Sequence, residues 1–348
     1  MQTDMHYYGT YAMAVAAGIP KEDAAVIAYA SQFVDDSTGY DSDAHEDGGL
    51  LFGITTAHNP VDAFIKATDD QTHKLEDERR VWVPFHFFPG GEGENFHEKI
   101  LCVKDGDIVN EMFENYLKIC NDKTYCLELI GIASHVYADT FSHYGFSGLT
   151  SPYNLVNGDA EIKNKTLLQD VYDYIIEKKN NFWGKFGMNT IELGHAGVAT
   201  YPDRPFLEWN FEFTLPRPGN EQNSNRNNQT DYLEGCQKLH SFLCNFAQNY
   251  YSEANQKAFN EIEDSVREVL AVQGCQESRI QAWKDSGLID GVPDYDANDW
   301  ENEKNSFSEF ESSLDGISTH AYRFHQAAAY HRYYVLKDLL PSHGIAIY

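Results

Sequence analysis

The sequence predicts an all-α protein, a multi-helix bundle with long loops, and three observations carry that prediction. Apolar residues recur at helical spacing along most of the chain, a helix-start signal marks the first of those stretches, and strand-like character is confined to two short segments. The series opens at Pro20–Phe33, where Pro20 suits a first turn and Glu22 and Asp23 put acids at the positive end of the helix dipole. Further helical patterns cover Asp107–Asp122, Tyr125–Phe146, Lys165–Lys179, Asp231–Tyr251, Glu253–Val272, Glu277–Asp285, Trp300–Leu314 and His320–Leu340. Val81–Phe88 and Leu207–Leu215 read as short extended pieces. Two large loops interrupt the helices. Asp35–Pro60 is acidic and carries glycines, and Pro216–Thr230 is polar and low in complexity.

The most informative stretch is Tyr125–Gly148, an apolar helical run that carries His135, Asp139 and His143 at four-residue intervals. Four residues advance an α-helix by roughly 400°, a drift of only about 40°, so the three side chains share one stripe. Glu128 falls on the same stripe, and Gly131 leaves a gap between it and His135. Ionisable groups are costly to bury unless they are paired or ligated, and two imidazoles around a carboxylate form a metal-ligand set. Neighbours four apart can share an ion, whereas His135 and His143 are separated by about 12 Å of helix rise. A cluster follows, in which Asp139 bridges two ions and each histidine serves one. The alternative is a buried polar network in which both histidines hydrogen-bond the central aspartate.

A three-ligand stripe needs partners from elsewhere to complete its ions. His6, with Asp4 near it, precedes the first helix; Asp35 and Asp36 close the helix that starts at Pro20. His58 lies in ITTAHNP, His86 in the aromatic segment VPFHFFPG, and His195 in ELGHAGVATYPDRP, where Asp203 follows. His45, His73 and His97 fall in charged loops, His240 on a polar-faced helix, and His343 near the C-terminal end of the sequence. His320, His325 and His331 are spaced to scatter around their helix. The sequence has no GxSxG elbow, no phosphate-binding GxxxxGK[ST] loop, no GxGxxG after a strand and no HExxH.

Composition limits the function classes. The 348 residues are 42% hydrophobic and 14% aromatic, which is globular, and carry a net charge of −28. A field of that sign repels phosphate backbones and argues against a nucleic-acid partner. No apolar run of about 18 residues is present to span a bilayer, and the N-terminal segment lacks the basic and apolar regions of a signal peptide. The six cysteines form no CxxC pair, so free thiols and a cytoplasmic location are expected. Oligomeric state leaves no signal.

The run SHVYADTFSH, with His135, Asp139 and His143, resembles the central helix of the zinc-dependent phospholipase C superfamily, which includes single-strand-specific nucleases. That resemblance implies an all-α fold, two or three zinc ions, and a bridging role for Asp139. In chain order it matches His6 to an N-terminal histidine, Asp35 or Asp36 to a helix-end aspartate, and His58 or His86 and His195 to later histidines. Three departures stand out. The exported phospholipases ligate through a processed N-terminal residue; here either Asp4 takes that place or the third ion is absent. The last histidine follows Asp139 by four residues rather than six, and Ala199 stands where a His-x3-Glu pair would need Glu. Along nearly its full length the chain also resembles an uncharacterised bacterial family, through the MQxDxHYY start, the ASQxVDD helix end and the PFHF, HVYAD and YPDRP segments. That second resemblance implies no activity.

Residues 1–348 are therefore expected to form a single all-α domain, with a metal-site region at 1–215, the polar loop at 216–230, and helices 231–348 completing the bundle. The expected function is metal-dependent hydrolysis of a small-molecule or lipid phosphoester by two zinc-like ions, which activate water and polarise phosphorus. Manganese and iron suit the same imidazole and carboxylate donors. The expected ligands are His135, Asp139, His143, His86, His6, Asp35, His195 and His58, with Asp36 or Asp203 as general base. Aromatics at Phe85–Phe88 are expected to touch substrate. The alternative function is a non-catalytic metalloprotein; an HD-type phosphohydrolase would need a His-Asp dipeptide that the sequence lacks.

Overall fold

In a computed structural model, residues 1–39, 41–58, 77–186, 192–218 and 223–347 are described, and they are mostly helical. A π-helical turn, Asp4–Gly9, leads into α1 (Thr10–Ala16), and α2 spans Lys21–Asp36 with Pro20 as its N-cap. Then come α3 (Asp107–Ile119), α4 (Cys126–His143), α5 (Gln169–Phe186) and α6 (Asn228–Tyr250). The chain continues through α7 (Glu263–Leu270), α8 (Gln276–Asp285), α9 (Asn298–Asn305) and α10 (His320–Tyr334). The stripe helix α4 lies at the centre, packed against α2, α6 and α10. Its residues from Cys126 to His143 are buried almost without exception.

Strands correct the all-α expectation. Antiparallel β1 (Ser42–Ala44) and β2 (Leu50–Phe52) form a hairpin inside the acidic loop. Strands β3 (Val156–Ile162), β4 (Glu208–Phe213) and β5 (Asn223–Asn227) form an antiparallel sheet in that order. The extended piece expected at Leu207–Leu215 is thus β4. The polar loop Pro216–Thr230 is more structured than its composition implies, because Asn223–Asn227 pairs with β4 and Asn227 caps α6 through Thr230 N–H. Backbone pairing with a neighbour overrides weak strand propensity there.

Val81–Phe88 is not extended. It lies mainly in a π-helical segment, Glu78–His86, and Phe87 N–H donates to Trp82 O five residues back. Val81, Val83 and Phe85 are all buried although they alternate, because the segment touches both α4 and α10. A helix buried on several sides shows no clean period. The expected helix Trp300–Leu314 divides into α9 and two short turns, where serine side chains compete for backbone groups, as Ser312 Oγ does for Leu314 N–H. Glu253–Val272 shortens to a 3-10 turn at Phe259–Glu261 and α7.

Two cores form. The larger joins the helices through residues such as Phe33, Met112, Ile132 and Phe324, while the smaller joins the sheet to Phe87, Phe146, Val198 and Tyr201. The expectation of free thiols is corrected at one place: Cys120 and Cys126 form a disulfide across the connection into α4. Disulfides persist in oxidising compartments, so the argument from free thiols to a cytoplasmic location loses its basis. No helix among the described residues is long and apolar enough to cross a membrane.

Candidate metal centre

The centre begins with a close helix contact. A Cβ on Gly131 would stand 2.4 Å from Ile27 O and 2.5 Å from Ala30 Cβ, so only glycine lets α4 approach α2 this closely. That approach brings Ser31 O within 2.8 Å of His135 Nδ1. A carbonyl can only accept, so Nδ1 carries the proton and His135 Nε2 is bare in the neutral ring.

The same logic applies to three more histidines. His86 Nε2–H donates to Thr56 O at 2.8 Å, which leaves Nδ1 bare in the neutral ring. Burial disfavours the charged ring, but Asp139 and Asp35 outweigh it and raise its pKa, so Nδ1 competes for a proton until a cation replaces it. His143 Nδ1–H donates to His86 O at 2.8 Å, and His195 Nδ1–H to Ala199 O at 2.7 Å, leaving both Nε2 atoms bare. Backbone carbonyls that orient imidazoles in this way are the usual outer partners of metal-binding histidines.

The bare atoms converge on carboxylates. His135 Nε2 and His86 Nδ1 face each other at 3.3 Å, and Asp139 Oδ2 lies 3.3 Å from the first and 3.6 Å from the second. Three lone-pair atoms crowd together there, and Asp139 Oδ2, although buried, accepts no hydrogen bond. Neither ring nitrogen of the fully buried His6 has a hydrogen-bond partner, yet its Nε2 lies 3.2 Å from Asp139 Oδ1 and 3.9 Å from Asp35 Oδ2. Buried polar atoms without partners are rare and costly. Farther along α4, His143 Nε2 lies 3.7 Å and His195 Nε2 4.0 Å from Asp203 Oδ1. Among the described residues, three groups could hold a metal ion: His6–Asp35–His135, His86–His135–Asp139 and His143–His195–Asp203.

The electrostatics follow from burial and charge. Burial alone pushes the Asp139 carboxyl up, but His143, the Met1 amino group, His135 and His6 together hold it well below the usual carboxylate range. Burial, then the neighbouring His135 and Met1 amino group, drives His6 well below its ordinary value. Burial also lowers His195, to about 4. The Met1 amino group lies 2.7 Å from Asp139 Oδ1 and 3.5 Å from Asp203 Oδ1, between the groups.

Several expected participants sit elsewhere. Asp36 accepts from Tyr295 Oη at 2.7 Å and Gln32 Nε2 at 3.0 Å, and so is turned away from the cluster. His58 faces Asp77 at 3.2 Å and belongs to none of the three groups. Asp4 is held by Arg279 Nε at 2.7 Å and does not substitute for an N-terminal ligand. Glu128 accepts from His320 Nδ1 at 2.7 Å, so the stripe ends at His135 and His320 has a partner that its spacing hid. Phe85, Phe87 and Phe88 are buried and do not form a substrate surface; Phe87 instead stacks on His143 with ring centroids 4.7 Å apart. Asp203, expected as a spare base, stands in the group of His143 and His195, supplying the carboxylate that Ala199 cannot. The carbonyls of Ser31, Thr56, His86 and Ala199 had no signal in sequence, because any residue presents a carbonyl.

Over residues 1–339 the chain matches a family of unknown function (DUF6765), and it belongs to that family. No curated protein and no solved structure matches it.

Proposed function

We propose that this member of the DUF6765 family is a metal-dependent phosphoester hydrolase with two zinc-like ions, in a fold of the zinc-dependent phospholipase C type. The observation that carries the proposal is the convergence of bare imidazole nitrogens on carboxylates, each ring fixed by a backbone carbonyl. Such a donor set fits a divalent ion of borderline softness, and the orphaned polar atoms of His6 and Asp139 fit it too. His135 would hold one ion, either with His86 and Asp139 or with His6 and Asp35, and His143, His195 and Asp203 would hold the other. When bound, the metal supplies Lewis-acid polarisation of a phosphoryl group and a water acidified enough to attack it.

The chain's own residues orient and accept. Side-chain exposure is 30% at Asp35 and 11% at Asp203, against 1% at Asp139. Proton acceptance from water therefore falls to Asp35, whose carboxyl burial pushes up, rather than to Asp203, which despite its burial the Met1 amino group, His195 and His143 hold below the usual carboxylate range. Asp139 keeps a purely ligating role. The resemblance of SHVYADTFSH to the phospholipase C helix supports phosphoester chemistry over other hydrolyses.

Hydrolysis of bis(p-nitrophenyl) phosphate with added zinc or manganese tests the proposal. Turnover that requires metal and vanishes in Asp139→Asn is expected. A protein that binds metal stoichiometrically but cleaves neither phosphodiesters nor phosphomonoesters would instead be a non-catalytic metalloprotein.

A further inference from the structure

We infer, resting on the metal centre proposed above, that Asn228 is a positioning residue that fixes the turn presenting Asp203 beside His143 and His195. Asn228 is the first residue of α6 and is 4% exposed. Its Nδ2 group donates to Tyr201 O and Arg204 O, each at 2.8 Å, with Pro202 O at 3.4 Å. Both N–H bonds are thus spent on carbonyls that flank Asp203. The orientation of the amide is determined: Trp209 Nε1–H donates to Asn228 Oδ1 at 2.9 Å, so only a nitrogen turned toward the turn satisfies both sides. One helical turn along α6, Tyr232 Oη donates to Pro202 O at 2.8 Å.

Asp203 needs this grip more than the other two carboxylates do. Asp35 and Asp139 ride on α2 and α4, whereas Asp203 belongs to a turn whose internal bonds are long, 3.2 Å from Asp203 N–H to Thr200 O and 3.4 Å from Arg204 N–H to Tyr201 O. The sheet and α6 act together here: β4 supplies Trp209, β5 delivers the chain to α6, and the helix end clamps the turn. Loss of an outer partner typically weakens metal binding by about 10–100-fold.

Asn228→Asp keeps the side-chain shape but turns oxygen toward the two carbonyls, removing both donors. The experiment measures zinc content per chain of the full-length protein by mass spectrometry across a graded series of zinc buffers. The expected result is that zinc held by His143, His195 and Asp203 weakens about 10–100-fold, while the remaining zinc and the circular dichroism spectrum match the wild type. Excess zinc then restores the lost ion. Tyr232→Phe removes one bond without changing shape, should show the same selective loss in smaller measure, and decides the matter if Asn228→Asp does not fold. Unchanged zinc affinity in the folded variant, or a uniform loss of all zinc, overturns the inference. A wild-type chain that binds no zinc is a separate outcome and overturns the metal centre itself.

Discussion

The two ends of the α4 stripe are built by different means. At one end His135, Asp139, Asp35, His6 and His86 all come from helical segments, two of them π-helical, and the larger core backs them. At the other, only His143 is helical; His195 precedes a single 3-10 turn and Asp203 sits in a loop braced by the sheet and the smaller core. Ala199, whose carbonyl orients His195, adopts φ of 50°, a conformation that a side chain disfavours. The helical end is held by packing, the loop end by individual hydrogen bonds and some backbone strain. Added volume should therefore hurt the first end most, and a lost hydrogen bond the second.

The largest expected effect comes from Asp139, which belongs to the helical end and lies 3.5 Å from His143 Nδ1 of the loop end. Asp139→Asn should abolish metal binding at the helical end, weaken it at the loop end, and reduce phosphodiester hydrolysis to background; full metal content and activity in that variant would show that Asp139 is no ligand. Gly131→Ala should damage the helical end alone. Its new methyl group meets Ile27 O, and overpacking of that kind costs about 1–3 kcal/mol. Denaturant unfolding reads the cost, and a variant as stable as the wild type would show that the close approach of α2 and α4 is dispensable.

Acid should act on the loop end and on the buried histidines of α10 in the metal-free protein. Burial lowers His195 and His331 to about 4 and His325 to about 3 in the folded chain, against an ordinary value of 6.5. The unfolded chain then binds more protons below that ordinary value, so stability falls as pH drops from 6.5 toward 4, and it falls further below the usual carboxylate range because Asp139 and Asp203 are held ionised in the folded chain. Thermal melts across that range check the sign, and a His195→Asn variant should flatten the slope by the share of the loop end. A melting temperature that rises on acidification would contradict the buried neutral histidines. The smallest effect is Ala199→Gly, which relieves the positive φ and should raise stability by about 1 kcal/mol with metal content unchanged.

What the sequence disclosed follows the same division. The stripe on α4 was legible because a helix converts four-residue spacing into a shared face, and His6, Asp35 and His86 were legible as isolated donors near helix ends. The π-helical form of Asp4–Gly9 and Glu78–His86 was not, since a wider turn blurs the period that identifies a helix. Asp36 and Asp35 are adjacent in sequence, and only the bond from Tyr295 tells them apart. His58 and Asp4 found partners, Asp77 and Arg279, that no spacing rule connects to them. At the loop end the grouping of Asp203 with His195 depends on a turn, and turn geometry is set by distant donors rather than by neighbours in sequence.

The central claim is that α4 organises a metal cluster. Inductively coupled plasma mass spectrometry of the purified, tag-free protein, reconstituted with zinc and dialysed, tests it most directly. The account predicts two or more ions per chain, with one lost in Asp203→Asn. A chain that binds none after reconstitution would contradict it, and would make the converging histidines and carboxylates a buried polar network.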